Sequence, residues 1–449
     1  MKINYVVGAL RDWFLNKPIE ERDLVVVGST PQEMLAQGFI QVGKSFPVFL
    51  EPKTKEEYAL ARTEKKVAKG YYGFDCNFSK AVTLEEDLKR RDLTINAMAL
   101  DSQYIDNNKM MADVKKHLID PYNGYSDLLA KKLRHVSDAF SEDPVRLLRV
   151  ARFLSRFGHL GFELAHETLD LMKSMVAAGE IDALVPERVW QEFENALKEV
   201  TPLLFIQLLR QTGALRILMP ELDKLYGIPQ KAIYHPEIDT GVHMEMVLDK
   251  ITQLSDNPVV RFAALVHDLG KGATPPQEWP SHKAHEERGV PLIEGLCSRL
   301  KAPSIYKELA VIVSRYHLQC HRVFELKPST ILKVLQAVDA FRRPERFKQF
   351  LLVCQADAQG RLGLENKPYP QRTYFWGAFE AALQVDIALV IKNLATVAIP
   401  AATTDANLSK TERLKMLISQ ARIKAIKQYS VLHADLALGH HSPGKDSHQ

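Results

Sequence analysis

The chain has 449 residues, of which 46% are hydrophobic and 25% charged. Such a length holds roughly two to four domains, and so apolar a chain is not largely disordered. With 59 Lys and Arg against 55 Asp and Glu, the net charge is only +4, so any nucleic-acid surface must come from local clustering. The four cysteines, Cys76, Cys297, Cys320 and Cys354, are far apart and form no C-x-x-C pair. That argues against a disulfide framework or a zinc knuckle and fits a reducing compartment. The opening MKINYVVGALRDWF lacks the apolar core and cleavage site of a signal peptide. The apolar stretch Val385–Ala402 is broken by Asp386, Lys392 and Pro400, short of the roughly 18 uninterrupted residues a membrane span needs. The expectation is a soluble, cytoplasmic protein.

In chain order, short β-type runs come first: Asn4–Val7, Leu24–Val27, Phe39–Val42, Val48–Leu50 and Tyr58–Arg62. Gly, Pro and Ser separate them, with short helical patterns between. Residues 102–118 read as a long polar loop between two strands. From about Asp127 the texture turns helical; Leu147, Val150, Ala151 and Leu154 recur at i, i+3, i+4 and i+7. A third, His-rich helical region starts near His235. Beyond Pro400 a linker leads to a basic helix, 410–427, and to a frayed end. The expected class is α+β: an α/β head, an all-helical neck and body, then a helical domain. The expected segments are 1–137, 138–227, 228–375 and a helical tail, 376–449.

Three pieces near the start suggest phosphoryl chemistry. Gly8-Ala9-Leu10-Arg11-Asp12 follows a strand, Glu21-Arg22-Asp23 opens the next, and Gly28-Ser29 closes it. Positions i and i+2 share one face of a strand, so Glu21 and Asp23 present two carboxylates together. Held close, they repel unless a cation lies between, and Mg²⁺ with substrate phosphates is the usual solution. Gly8 lets backbone N–H groups approach a triphosphate, and Arg11 can clamp it. Further on, Glu142-Asp143-Pro144-Val145-Arg146 places Asp143 and Arg146 one helical turn apart. A carboxylate accepts from an exocyclic amine and a guanidinium donates to ring acceptors. Cytosine and adenine offer that pattern; guanine and uracil do not. The competing reading of this pair is a helix-capping salt bridge.

These motifs, with Arg90-Arg91-Asp92-Leu93-Thr94-Ile95-Asn96-Ala97, Ile119–Gly124 and Pro186–Trp190, resemble those of bacterial class II tRNA nucleotidyltransferases. The likeness is to the multifunctional CCA-adding subgroup with an HD phosphohydrolase domain, and it runs from residue 1 to about residue 375. It implies attack of the tRNA 3′ hydroxyl on CTP or ATP. Mg²⁺ would be held by Glu21 and Asp23, and nucleotide contacts would come from Gly8, Arg11, Arg91, Asp143, Arg146 and Arg149. Two departures stand out: Val7 replaces the family's first glycine, and Glu21 replaces its first metal-binding Asp. The segment Ala264-Leu265-Val266-His267-Asp268-Leu269-Gly270-Lys271 carries the HD pair. Imidazole suits transition metals such as Ni²⁺. Candidate partners of His267 and Asp268 are His243 and Asp357, with His282, His285, His317 and His321 as further possibilities. Leu318 follows His317 where the family often has Asp, a departure bearing on the hydrolase activity.

The implied partners are tRNA, CTP and ATP, with no membrane, in a monomer or homodimer. Two other readings are a poly(A) polymerase-like enzyme sharing the head, and a catalytically weakened RNA-binding descendant suggested by Val7 and Glu21. A Lys/Arg excess between Ala130 and Arg156 is a candidate RNA surface.

Overall fold

A computed structural model describes residues 2–6, 8–19, 23–42, 48–66, 74–106, 109–110, 114–396 and 409–438. Two compact units make up the chain, Met1–Leu218 and Met219–Gln449. The expected class holds, with an α/β head followed by helices.

The first unit is built on a six-stranded sheet. Its strands are β1 (Lys2–Val6), β2 (Asp23–Val27), β3 (Ile40–Val42), β4 (Val48–Leu50), β5 (Glu57–Leu60) and β8 (Ala99–Asp101), in the order β3-β4-β5-β2-β1-β8. β6 (Thr63–Lys66) and β7 (Phe74–Asn77) form a separate antiparallel hairpin. β1 lies antiparallel to β2 and β8, whereas β2 and β5 run parallel, with Asp23 opposite Glu57. The alternating runs fix this order, because Val25 on one face and Val26 on the other enter different apolar clusters. Residues 102–118 are not a plain loop. They include a two-stranded pairing of Ile105–Asp106 with Lys109–Met110 and a helical turn, Val114–His117.

Short helices of the head start at Thr30 and Thr83, each closing a capping box with a Glu three residues on. The helix Val145–Phe157 carries the anticipated stripe; Leu147, Val150 and Ala151 are buried and Leu154 is half-buried. It packs on the helices Pro186–Lys198 and Leu203–Thr212.

The second unit is helical. Thr240–Leu254, Pro258–Val266, His285–Leu300, Ser304–His321 and Pro344–Gln359 pack against one another. Asp239 caps the first of these through the amides of Gly241 and Val242. Asn257 caps the second, with Pro258 at its first position, and residues 259–266 are all buried. The basic helix Lys410–Leu432 is more than a solvated strip: Ile426 is buried and Arg422 lies 3.7 Å from the Phe341 ring centre. It packs on Pro370–Leu383 and Pro328–Ala337. No helix among the described residues is long and apolar enough to cross a membrane.

Candidate functional site

In the first unit, the arginines expected to meet the nucleotide are joined by buried polar side chains. Arg11, on the helix Ala9–Phe14, donates to Asn96 Oδ1 at 2.5 Å and grips Asp12 through Nε and Nη2, both at 3.0 Å. Asn96 Nδ2 donates to Asp92 Oδ1 at 3.0 Å, and Arg149 Nε donates to Asp92 Oδ2 at 2.7 Å. Arg11, Asn96, Asp92 and Arg149 thus form one chain of bonds across residues far apart in sequence. Burial acts to raise the Asp92 carboxyl, but Arg149 and Asn96 outweigh it and hold the group well below the usual carboxylate range. The Asp92 carboxylate in turn raises Arg149.

A second set adjoins it. Asp87 pairs with Arg90 at 2.8 Å and with Arg91 at 3.2 Å, and Glu64 pairs with Arg62 at 2.8 Å and Arg90 at 3.2 Å. Arg146 lies 3.9 Å from Glu64 and bonds the Ala139 carbonyl. The Arg146 amide donates to the Asp143 carbonyl at 3.0 Å, but the two side chains have other partners. Asp143 Oδ1 accepts from the Val145 amide at 3.0 Å, and Oδ2 lies 3.4 Å from Arg188. Burial is the main influence on Arg146 and lowers it, while Asp143 opposes that. A methyl group at Gly8 would stand 3.7 Å from Arg11 Nη2. Glu21 and Val7 lie outside the described residues; Asp23 opens β2, and its side chain is likewise outside them.

Much of the basic excess at 131–156 is engaged internally. Lys132 pairs with Glu163, Arg134 with Asp127 and Glu167, and Arg152 with Glu192. Asp92, Asn96, Glu64, Asp87 and Arg188 were not singled out from sequence. Asp92 and Asn96 lie in the Arg90–Ala97 motif, Arg188 in Pro186–Trp190 and Glu64 at the end of the similar segment Glu57–Glu64, which were the available signals.

In the second unit, five helices bring histidines and carboxylates together. His267 and Asp268 end the helix Pro258–Val266, His243 comes from Thr240–Leu254, and Asp357 from Pro344–Gln359. Asp268 Oδ2 lies 3.3 Å from His267 Nε2 and 3.9 Å from His243 Nε2. Asp357 Oδ1 lies 3.1 Å from His243 Nε2 and 3.8 Å from His267 Nε2. On the other side, Asp268 Oδ1 lies 3.2 Å from His285 Nε2 and 3.7 Å from His317 Nε2. His321 binds Asp357 Oδ2 at 2.6 Å and Tyr369 at 2.8 Å. His282 instead directs its ring at the Pro229 carbonyl, 2.9 Å away.

The surroundings set the state of these groups. Burial acts to raise both carboxyls. His267 and Lys271 overcome it at Asp268, His321 and Arg361 at Asp357, and both stay far below the usual range. Lys271 Nζ is 2.6 Å from Asp268 Oδ2 and donates to Gln230 at 2.8 Å. Burial lowers His317 to about 3, which leaves the ring neutral. His243 Nδ1 faces both the Gly360 carbonyl and Glu237 Oε1 at 3.0 Å, which leaves Nε2, turned to Asp357 Oδ1 at 3.1 Å, as the candidate ligand atom. Glu237, which also binds His235 at 3.0 Å, was missed in the sequence because it shares no recognisable spacing with the HD pair.

Whether a metal suits this set can be judged from the side chains. His267 Nδ1 bonds the Ala264 carbonyl at 2.7 Å. His267 Nε2 and Asp268 Oδ1 are buried without a hydrogen-bond partner. Imidazole nitrogens and carboxylate oxygens converging with unused lone pairs are the donor set of a transition metal. Among the described residues, His243 with His267 and Asp268, and Asp268 with His285 and His317, each form a group close enough to share one ion.

Residues 4–134 match the poly A polymerase head domain. Residues 161–226 match a probable RNA and SrmB-binding site of polymerase A, and residues 240–343 the HD domain. Asp357 falls beyond that last match, yet it packs into the same cluster. A solved CCA-adding enzyme complexed with CTP is 19% identical, with a TM-score of 0.57, over 98% of this chain and 92% of that one. A Thermotoga maritima CCA-adding enzyme complexed with tRNA is 18% identical, with a TM-score of 0.56, over 98% of this chain and 91% of that one. At those identities the likeness is one of fold. The multifunctional CCA protein of Teredinibacter turnerae is 57% identical over 391 residues, 87% of this chain and 92% of that protein. Identity at that level, along nearly the whole of both proteins, places this chain in the multifunctional CCA protein family.

Proposed function

We propose that this chain adds C, C and A to the 3′ end of tRNA from CTP and ATP without a nucleic-acid template. We further propose that its HD cluster hydrolyses 2′,3′-cyclic phosphates, 2′-nucleotides and simple phosphomonoesters. The observation that carries the first activity is the bonded chain Arg11–Asn96–Asp92–Arg149. It fixes two guanidiniums through buried partners, which reduces the ordering cost of gripping a triphosphate.

The tRNA hydroxyl attacks the α-phosphorus, and pyrophosphate leaves. Arg11 and Arg91 hold the triphosphate and ribose, and Gly8 leaves its backbone open to them. Glu21 and Asp23 would hold Mg²⁺, which when bound neutralises phosphate charge and eases ionisation of the attacking hydroxyl. Asp143 accepts from the exocyclic amine of cytosine or adenine, Arg146 donates to the ring, and Arg188 orients Asp143. Such two-point reading is worth about 1–3 kcal/mol per base.

In the HD cluster, His243, His267, Asp268 and Asp357 would hold a transition metal such as Ni²⁺, which when bound supplies Lewis-acid polarisation of the phosphate ester. Lys271 and Arg361 keep the two carboxylates ionised for it. The finer division we favour is a head at 1–137, a neck and body at 138–227, an HD domain at 228–375 and a tail at 376–449. The free cysteines suit work in the cytoplasm. The assembly we favour is a monomer or homodimer.

The deciding experiment supplies a tRNA transcript ending at the discriminator base with CTP, ATP and Mg²⁺, followed by 3′-end sequencing. C-C-A ends are expected. Tails of A alone would instead support the poly(A) polymerase reading, and unextended ends an RNA-binding descendant.

A further inference from the structure

We propose that the surface loop 231–238 is a nucleobase platform, with Tyr234 stacking on the base of a nucleotide whose phosphate lies at the HD cluster. This rests on the hydrolase reading above and names a residue that sets its preference for nucleotides over base-free phosphate esters.

The two cations that keep the cluster's carboxylates ionised also hold this loop. Lys271 Nζ lies 2.6 Å from Asp268 Oδ2 and donates to Gln230 Oε1 at 2.8 Å. Arg361 Nη2 donates to Asp357 Oδ1 at 3.3 Å, and its Nη1 donates to the Tyr234 carbonyl at 3.4 Å. Glu237 makes a third tie. Its Oε1 meets His235 and His243, and its Oε2 accepts from the Leu362 amide at 3.4 Å. The Gln230 amide closes the base of the loop on the Ile238 carbonyl at 2.8 Å. The loop is thus mounted on the cluster and not merely near it.

It is also held in a costly shape. Ile238 has φ 61°, the left-handed region that a β-branched side chain avoids. Strain of this kind persists where surrounding contacts impose it, and it collects at ligand sites.

The side chains that the loop turns to water do not suit a plain connection, which is normally built from small polar residues, Gly and Pro. Ile233, Tyr234 and Ile238 are 62%, 49% and 48% exposed. Leu362, whose amide is bonded to the loop through Glu237, is 57% exposed. Single exposed apolar side chains are ordinary, but four on one loop and the segment tied to it mark a binding surface.

Its position selects the occupant. One guanidinium spans from Asp357 to the Tyr234 carbonyl, so the aromatic residue starts from a point separated from the cluster on the scale of a ribose with its phosphate. A ligand shared by the two places is anionic at one end and flat and apolar at the other, which describes a nucleotide. Every base has a π-face, so stacking on Tyr234 separates nucleotides from simple phosphomonoesters without choosing among the four bases.

The test compares 2′-AMP with ribose 2-phosphate, which has the same sugar and phosphate and no base. Full-length protein is supplied with Ni²⁺. Wild type should show a KM for 2′-AMP roughly tenfold below that for ribose 2-phosphate. Tyr234→Ala should raise the KM for 2′-AMP by about that factor, with kcat held and ribose 2-phosphate unaffected, whereas Tyr234→Phe should behave as wild type. Equal losses on both substrates would make Tyr234 a support of the cluster, and no change on either would leave the base unread; both results overturn the platform. Should wild type hydrolyse neither compound, the hydrolase reading fails, and calorimetry of 2′-AMP binding to the same proteins decides the platform by itself. Binding weakened by Tyr234→Ala and kept by Tyr234→Phe would uphold it, and binding indifferent to both would overturn it.

Discussion

Gly270 lies two residues after the HD aspartate, in the short helical segment Leu269–Ala273 that packs on the helix His285–Leu300. A Cβ placed there would overlap the His285 carbonyl oxygen and stand 2.7 Å from the Gly289 amide nitrogen. Both neighbours are backbone, so neither can swing aside. Gly270→Ala must therefore push the segment bearing Asp268 away from the helix bearing His285. Overpacking a tight interior costs about 1–3 kcal/mol, and a backbone-on-backbone clash belongs at the upper end. For a unit of this size that is a fall in melting temperature of roughly 6–12 °C. Gly295 on the same helix makes the control, since a Cβ there meets nothing within 4 Å. Gly295→Ala should gain about 0.5–1 kcal/mol from helix propensity alone. Calorimetry of the full chain reads both. If Gly270→Ala melts with the wild type, or Gly295→Ala falls as far, the close approach that assembles the metal cluster has been misjudged.

Three further outcomes follow from other parts of the structure. Asp92→Asn should destabilise the first unit by about 1.5–3 kcal/mol at neutral pH, because it weakens a buried charge-assisted bond to Arg149. Since folding depresses the Asp92 carboxyl, its contribution is complete above the unfolded value near ~3.9 and fades as pH falls below that. The difference between wild type and variant in denaturant midpoint should accordingly narrow below about pH 4, and a constant difference would contradict the pairing. Asp143→Ala should relax rejection of UTP and GTP by roughly tenfold while changing CTP affinity little, as competition assays with all four nucleotides would reveal. Glu21→Asp restores the shorter carboxylate of the family and should raise the rate of nucleotide addition; a loss would mean the backbone has adapted to Glu.

The head's five β-type runs were readable because alternation and Gly/Pro breaks dominate there, and β1 to β5 fall on them within a residue or two. The hairpin Thr63–Lys66 with Phe74–Asn77 was not, since Thr-Glu-Lys-Lys has no apolar face to betray a strand. Ala99–Asp101 was foreseen only as the strand ahead of residues 102–118, without bounds, since Met-Ala-Leu shows no alternation of apolar and polar residues. The HD cluster was half legible. Adjacent His267 and Asp268 announce themselves, and His285 and His317 could be suspected from composition. Nothing in the sequence states that His282 turns to the Pro229 carbonyl while His285 turns to Asp268. The same holds for Asp143, whose partner Arg188 lies 45 residues on. Ring orientation and long-range pairing are decided by packing, and local pattern carries no trace of either.

The central claim is that one chain carries two distinct active sites, a carboxylate-metal head and an imidazole-metal HD cluster. The most direct measurement assays nucleotide addition in Mg²⁺ and 2′,3′-cyclic phosphate hydrolysis in Ni²⁺ on the same preparations of three proteins. Wild type should do both, Asp23→Ala should hydrolyse without adding nucleotides, and His267→Ala/Asp268→Ala should add C, C and A without hydrolysing. A folded double variant that had lost nucleotide addition, or an Asp23→Ala protein that had lost hydrolysis, would contradict it.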